Sequence, residues 1–357
     1  ALENDETKNQ ANTYYVAGLI GYQEAMDMWA KRGLGQFDED AFGSAVMEAI
    51  EYFKRADQLG QIPDEKGKVN TKIRREVQAK LYDIYKDVFP VIYGSHLWEK
   101  RDYIKAYEAF EAWGSMVDLP AMQDEKIQAK MPRDTTFYQY RAFAGRAAYF
   151  AAYNSDDEAV KNRYAQISAS ILSNVATQDF TGIEDAIWTL GEVQLKMLKD
   201  TTAYVNTLTD ASKRFPGNAT FMQLLINVYM SQQKNEEALA MLDKAITSDP
   251  AHAADYYRAK GEMYDQDGRF DEAIEALENA IKTNSDNSRA YYILSRTYFD
   301  HAQKIVADAS DAEYRNAVRN AKPLVEKARP YVEKAIALES LPEYKALLDR
   351  IEYWLQQ

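Results

Sequence analysis

The chain echoes itself at an interval of 34 residues. Pro216 and Pro250, Leu208 and Leu242, and Ala211 and Ala245 each stand 34 apart, and Leu277 with Ala280 continues the same pair after one residue of slip. A fixed period of this length marks supersecondary units that stack on one another, because one such unit cannot bury its own apolar face. Stacked units present an extended surface and rarely build a reaction centre. The period therefore favours binding over catalysis and leaves the ligand unnamed.

Within the period the apolar spacing is helical. Residues 43–58 place Val46, Ala49, Ile50, Phe53 and Ala56 on one face, and residues 72–89 align Ile73, Val77, Leu81, Ile84, Val88 and Phe89. Steps of three and four residues predict amphipathic helices, and no alternating stretch long enough for a strand interrupts them. Of the nine prolines, Pro63, Pro120, Pro132, Pro216, Pro250, Pro323 and Pro342 fall where helices should start or stop. Pro90 and Pro330 fall inside helical patterns, where each needs a first-turn position or a kink. The acidic clusters Asp38-Glu39-Asp40 and Asp156-Asp157-Glu158 precede helical runs and read as N-terminal capping charges.

Four consecutive registers follow. Residues 185–218 contain Trp188, Leu195, Leu208, Ala211 and Pro216. Residues 219–252 contain Met222, Leu225, Ile226, Tyr229, Ala238, Leu242, Ala245 and Pro250. Residues 254–287 contain Tyr257, Gly261, Tyr264, Gly268, Phe270, Ala273, Leu277 and Ala280, and the unit opening at Ser288 contains Tyr291, Leu294, Ser295 and Tyr298. This pattern resembles the tetratricopeptide repeat (TPR) family. The resemblance is closest over 185–300, is fair over 87–120 and 328–357, and is loose elsewhere. It implies an all-α, TPR-like right-handed helical-hairpin solenoid of about five hairpins and a cap. Gly261, Ala238 and Ala273 would mark the close approach of two helices. Residues 1–184 read as irregular hairpins, and 185–357 as a regular array in one continuous solenoid. That array carries a helical insertion at about 300–327 and a terminal capping helix over 341–355.

Composition narrows the function. Lys plus Arg is 43 against 56 for Asp plus Glu, a formal charge of −13, which disfavours nucleic acid as a partner. Cysteine is absent, so disulfides, thiol catalysis and thiolate metal sites are excluded. No apolar run approaches the roughly 20 residues that span a bilayer. His96, His252 and His301 have no second ligand at zinc spacing. Gly33-Leu34-Gly35 is not followed by phosphate-loop spacing. No cofactor, metal site or catalytic constellation is expected, and the chain is read as a non-enzyme. The sequence opens at Ala1 without methionine, and the expectation is a periplasmic or secreted protein, with a cytoplasmic one as the alternative.

The TPR resemblance also implies a binding face on the first helix of each hairpin. Carried onto this chain, its groove positions are Thr220, Gln223, Leu224, Asn227 and Met230, then Asp255, Arg258, Ala259, Glu262 and Asp265, then Arg289, Tyr292, Ile293, Arg296 and Phe299. From these, Gln223, Asn227, Arg258, Glu262, Arg289, Tyr292 and Arg296 form the expected peptide-binding strip, with Tyr292 and Phe299 as apolar anchors. Pairing of the arginines with Asp255, Glu262 and Asp265 is the competing reading. The expected function is a non-catalytic scaffold for a protein or peptide. The alternative is a carbohydrate- or nutrient-binding protein of the cell envelope, in which some of the 26 tyrosines stack on sugar faces.

Overall fold

A computed structural model describes residues 2–4, 7 and 9–356. Among them the chain is all-α, with no strand. Its helices are α1 (Ala11–Lys31), α2 (Glu39–Gly60), α3 (Thr71–Lys86), α4 (Phe89–Glu99), α5 (Tyr103–Ser115), α6 (Glu125–Gln128), α7 (Thr135–Tyr153), α8 (Glu158–Val175), α9 (Ile183–Glu192), α10 (Thr201–Arg214), α11 (Ala219–Ser231), α12 (Asn235–Ser248), α13 (Ala253–Gln266), α14 (Phe270–Thr283), α15 (Ser288–Ala307), α16 (Tyr314–Leu338) and α17 (Pro342–Leu355). They form two compact units, residues 1–207 and 208–357, with the boundary inside α10.

Helix starts follow from short polar side chains. Asp38 accepts the Ala41 N–H at 2.9 Å, Asp134 accepts that of Phe137 at 3.0 Å, Asp157 that of Ala159 at 2.8 Å, and Asn218 that of Thr220 at 3.0 Å. Each satisfies a donor that the first turn leaves without a partner. Pro90 sits in the first turn of α4, behind Val88 in the left-handed region. In contrast, Pro323 does not end a helix as its spacing suggested. Both it and Pro330 lie inside α16. That helix keeps its course because Ala317, Ala321, Val325, Ala328, Val332 and Ala335 bury a continuous stripe against the core, outweighing the backbone bonds that two prolines remove.

In the first unit, α1/α2, α4/α5 and α7/α8 pack as hairpin pairs, with α3 laid against α2. Their core joins Phe42, Phe53, Phe89, Phe110, Trp113 and Met122. Between α9 and α10 the chain widens into a π-turn over Val193–Met197, closed by the Leu198 N–H on the Val193 carbonyl at 3.0 Å. The second unit stacks α11/α12, α13/α14 and α15/α16 in order, and α17 closes its end. The six pairs exceed the five that the spacing suggested, because the first unit's registers were only partly visible.

Two local rules build these pairs. First, the α4/α5, α11/α12 and α13/α14 turns are three residues long, with the middle residue left-handed: Arg101 (φ 63°), Gln233 (φ 57°) and Gly268 (φ 69°). Second, a small residue on the first helix admits a large one from the second. A Cβ on Gly94 would lie 2.8 Å from the Phe110 ring, and one on Gly261 would lie 2.5 Å from Leu277 Cγ. In α15 that approach involves Ser295, whose buried hydroxyl donates to the Ala328 carbonyl at 2.8 Å.

Candidate functional site

The expected strip lies on the first helices of the second unit's pairs, α11, α13 and α15, and of these α13 and α15 touch. The Arg289 guanidinium on α15 reaches Glu262 on α13 at 3.8 Å, and Arg296 on α15 donates to Asp265 on α13 at 2.8 Å. Glu262 and Asp265 of α13 therefore share one face with Arg289 and Arg296 of α15. On α11, Gln223 and Asn227 are exposed and joined by a 2.9 Å hydrogen bond.

The arginines are not free. Arg258 pairs with Glu262 at 3.2 Å and with Asp255 at 3.7 Å, so Glu262 stands between two guanidinium groups. Arg296 bridges Asp265 and, at 3.9 Å, Asp300. Burial and the neighbouring Asp265 raise the Asp300 pKa above the ordinary aspartate value, while Arg296 and Arg350 pull it down. The competing reading of internal pairing thus describes Arg258 and Arg296. Arg289 remains the most open of the three, 47% exposed, with its guanidinium 5.4 Å from the Tyr292 ring centre.

Two of the carried-over positions do not face the groove. Ile293 and Phe299 are buried in the terminal core with Tyr344, Leu347 and Ile351. The cause is α17. Its Tyr344 stacks on Tyr292 at 4.6 Å, and its Arg350 lies 5.0 Å from the Phe299 ring centre. Phe299 is therefore no exposed anchor, because the capping helix covers the α15 positions that a further repeat would otherwise meet. The open strip comprises Gln223 and Asn227, the Arg258–Glu262 pair and Arg289 with Tyr292.

The histidines serve packing and pairing. His96 meets Glu39 and, at 3.0 Å, Asp40; His252 meets Asp249 at 2.9 Å; His301 stacks on Phe270 at 4.8 Å. Among the described residues, no group of three His, Asp or Glu side chains could hold a metal ion, and no helix is long and apolar enough to cross a membrane.

Comparison with known proteins bears on this unit. Residues 224–277 and 258–323 match the tetratricopeptide repeat family. This stretch is a tetratricopeptide repeat array. Over 102 residues the chain is 26% identical to human protein O-mannosyl-transferase TMTC1, an alignment covering 24% of this chain and 12% of that protein. The chain thus spans about an eighth of that relative's length. Similar solved structures include a TPR repeats protein from Bacteroides fragilis (17% identity, 75% of this chain and 98% of that one, TM-score 0.35) and yeast Tom70 (14%, 100% and 66%, TM-score 0.35). The TPR2AB domain of yeast Sti1, solved with an HSP90 peptide, shares 15% identity over 95% of this chain and 100% of that one, at a TM-score of 0.28.

Sequence reasoning passed over cavities in both units. In the TPR unit, a cavity of about 440 Å³ is lined by Asp243, Tyr257, Lys260, Tyr264, Glu272 and Glu275. Two of its carboxylates are paired, Asp243 with Lys260 at 2.5 Å and Glu272 with Arg269 at 3.0 Å. In the first unit, a cavity of about 280 Å³ lies among Ser95, Trp98, Phe110, Phe143 and Arg146. Its sequence signal was an arginine set directly after Gly145 in the Ala-rich run of α7.

Proposed function

We propose that the chain is a non-catalytic scaffold that binds a protein or peptide segment along the first-helix face of α11, α13 and α15. The observation that carries this reading is the reach of Arg289 to Glu262 across two successive first helices. It sets donors and acceptors from separate repeats side by side, as an extended chain crossing the helices would need. Gln223 and Asn227 offer amides to a backbone. Arg289 over Tyr292 offers a guanidinium for a carboxylate and a ring edge for an apolar side chain. Export to the periplasm or beyond belongs to the same proposal, and fractionation of the native cell tests it.

The test of binding is affinity for a partner isolated on the intact chain. Arg289→Ala should weaken that affinity about tenfold or more with helicity unchanged, since a hydrogen bond to a charged group contributes roughly 1.5–3 kcal/mol. Unchanged affinity in Arg289→Ala and in the Gln223→Ala/Asn227→Ala pair would remove the site from this face.

A further inference from the structure

Arg146 is the exception among the half-buried arginines of the first unit. Arg74 is held by Asp57 through two bonds, at 2.8 and 3.0 Å, and Arg141, five residues before Arg146 on α7, is held by Glu111 at 2.5 Å. Arg146 has no ion pair or hydrogen bond among the described residues, and its Nε is buried without a partner. A desolvated guanidinium donor with nothing to bond is costly, and native interiors rarely keep one without a use.

Its surroundings are a compact aromatic cavity. Trp98 of α4, Phe110 of α5 and Phe143 of α7 line about 280 Å³ of space beside it. The guanidinium carbon lies 5.8 Å from the Trp98 ring centre. The walls are fixed: Trp98 meets Tyr103 and Phe150 edge-on at 5.4 and 5.3 Å, and Phe143 packs on Phe110 at 5.9 Å. The other polar groups do not compete for the arginine. The Ser95 hydroxyl is committed to the Val91 carbonyl at 2.9 Å, and Glu99 is exposed at the rim, where water screens its charge, and makes no ion pair with Arg146.

We infer that this cavity is a binding site for a small aromatic carboxylate, the ring held among Trp98, Phe110 and Phe143 and the carboxylate taken by Arg146. A planar anion matches both features. The guanidinium fork pairs with two carboxylate oxygens, and the ring replaces water against three aromatic walls. The volume suits a single ring with a short acid arm. The site lies in the first unit and does not rest on the peptide-binding reading of the second.

The test uses phenylacetate with the intact chain, read by saturation-transfer NMR and titration calorimetry. Phenylacetate should bind, and phenylacetamide, which has the same shape without the charge, should bind at least tenfold more weakly. Arg146→Met should lower phenylacetate affinity at least tenfold, and Arg146→Lys should lose less because it keeps the charge. The comparison of acid with amide on the unaltered chain needs no variant and stands even if Arg146→Met fails to fold. Absence of saturation transfer at millimolar phenylacetate, or equal binding of acid and amide, would overturn the inference. So would an acetylated peptide ending in Phe that binds more tightly than phenylacetate through Arg146, which would make the ligand a chain terminus.

Discussion

Leu277 occupies the space that a side chain on residue 261 would need: a Cβ there would come within 2.5 Å of Leu277 Cγ and 3.2 Å of the Ala273 carbonyl oxygen. The first contact could relax by a rotamer change, but the second is backbone. The α13/α14 pair therefore sits as close as it does only because position 261 has no side chain. Gly261→Ala should destabilise the chain, although alanine is ordinarily the better helix residue by about 1 kcal/mol. Ala273→Leu, at a fully buried position on the facing helix, should cost about 1–3 kcal/mol through overpacking. Thermal melts followed by circular dichroism check both, and an unchanged midpoint in Ala273→Leu would show that the helices can separate freely.

The three-residue turns carry unequal strain. Gly268 accepts its left-handed backbone without cost, but Arg101 and Gln233 hold the same conformation with a Cβ. Replacing Gln233 or Arg101 by glycine should raise stability by about 0.5–1 kcal/mol, the left-handed penalty less the added freedom of the unfolded chain. Gly268→Ala should move it the other way. Chemical denaturation of the three variants orders them directly.

Arg289 and Arg296 separate structure from binding. The Asp265 side chain is 7% exposed, one of its oxygens bonds Arg296 at 2.8 Å and the other is buried without a partner. Arg296→Ala leaves that carboxylate uncompensated and should destabilise the fold by about 1–3 kcal/mol. Arg289→Ala, at a half-exposed pair 3.8 Å long, should cost less than about 0.5 kcal/mol. Equal losses in the two variants would contradict this division.

Asp300 adds a pH signature. Burial first, and Asp265 next, raise its pKa in the folded chain. The folded state then holds the proton more tightly than the unfolded state. Its ionisation therefore costs nothing below the ordinary aspartate range and destabilises as pH rises through the raised value. Asp300→Asn should accordingly melt higher relative to the parent at pH 7 than at pH 3. An advantage that grows towards acid would reverse the assignment.

The regular half of the fold was legible because its packing is periodic. Ala238, Gly261, Ala273 and Leu277 recur at spacings that only stacked hairpins require. The first unit was harder to read. There, tight approaches such as Gly94 against Phe110 are mixed with aromatic clusters that fill irregular gaps, and those follow shape, not period. The exposure of Gln223 and Asn227 on α11 was also legible, since it follows from helical register. Burial of Ile293 and Phe299 was not, because it depends on how α17 folds back over α15. Arg146 escaped notice for a related reason: its place after Gly145, five residues beyond Arg141 on α7, is a weak signal until its neighbours are known to offer no partner.

The central claim, that a protein or peptide binds along the first-helix face of the TPR unit, is tested most directly by site-specific photo-crosslinking in the native cell. The crosslinking residue is placed in turn at Asn227, Arg289 and, on α14, the second helix of its pair, Lys282, all of them exposed. The expected result is one and the same partner captured from positions 227 and 289 and not from 282. Capture from 282 alone, or no adduct from either 227 or 289, would contradict the claim.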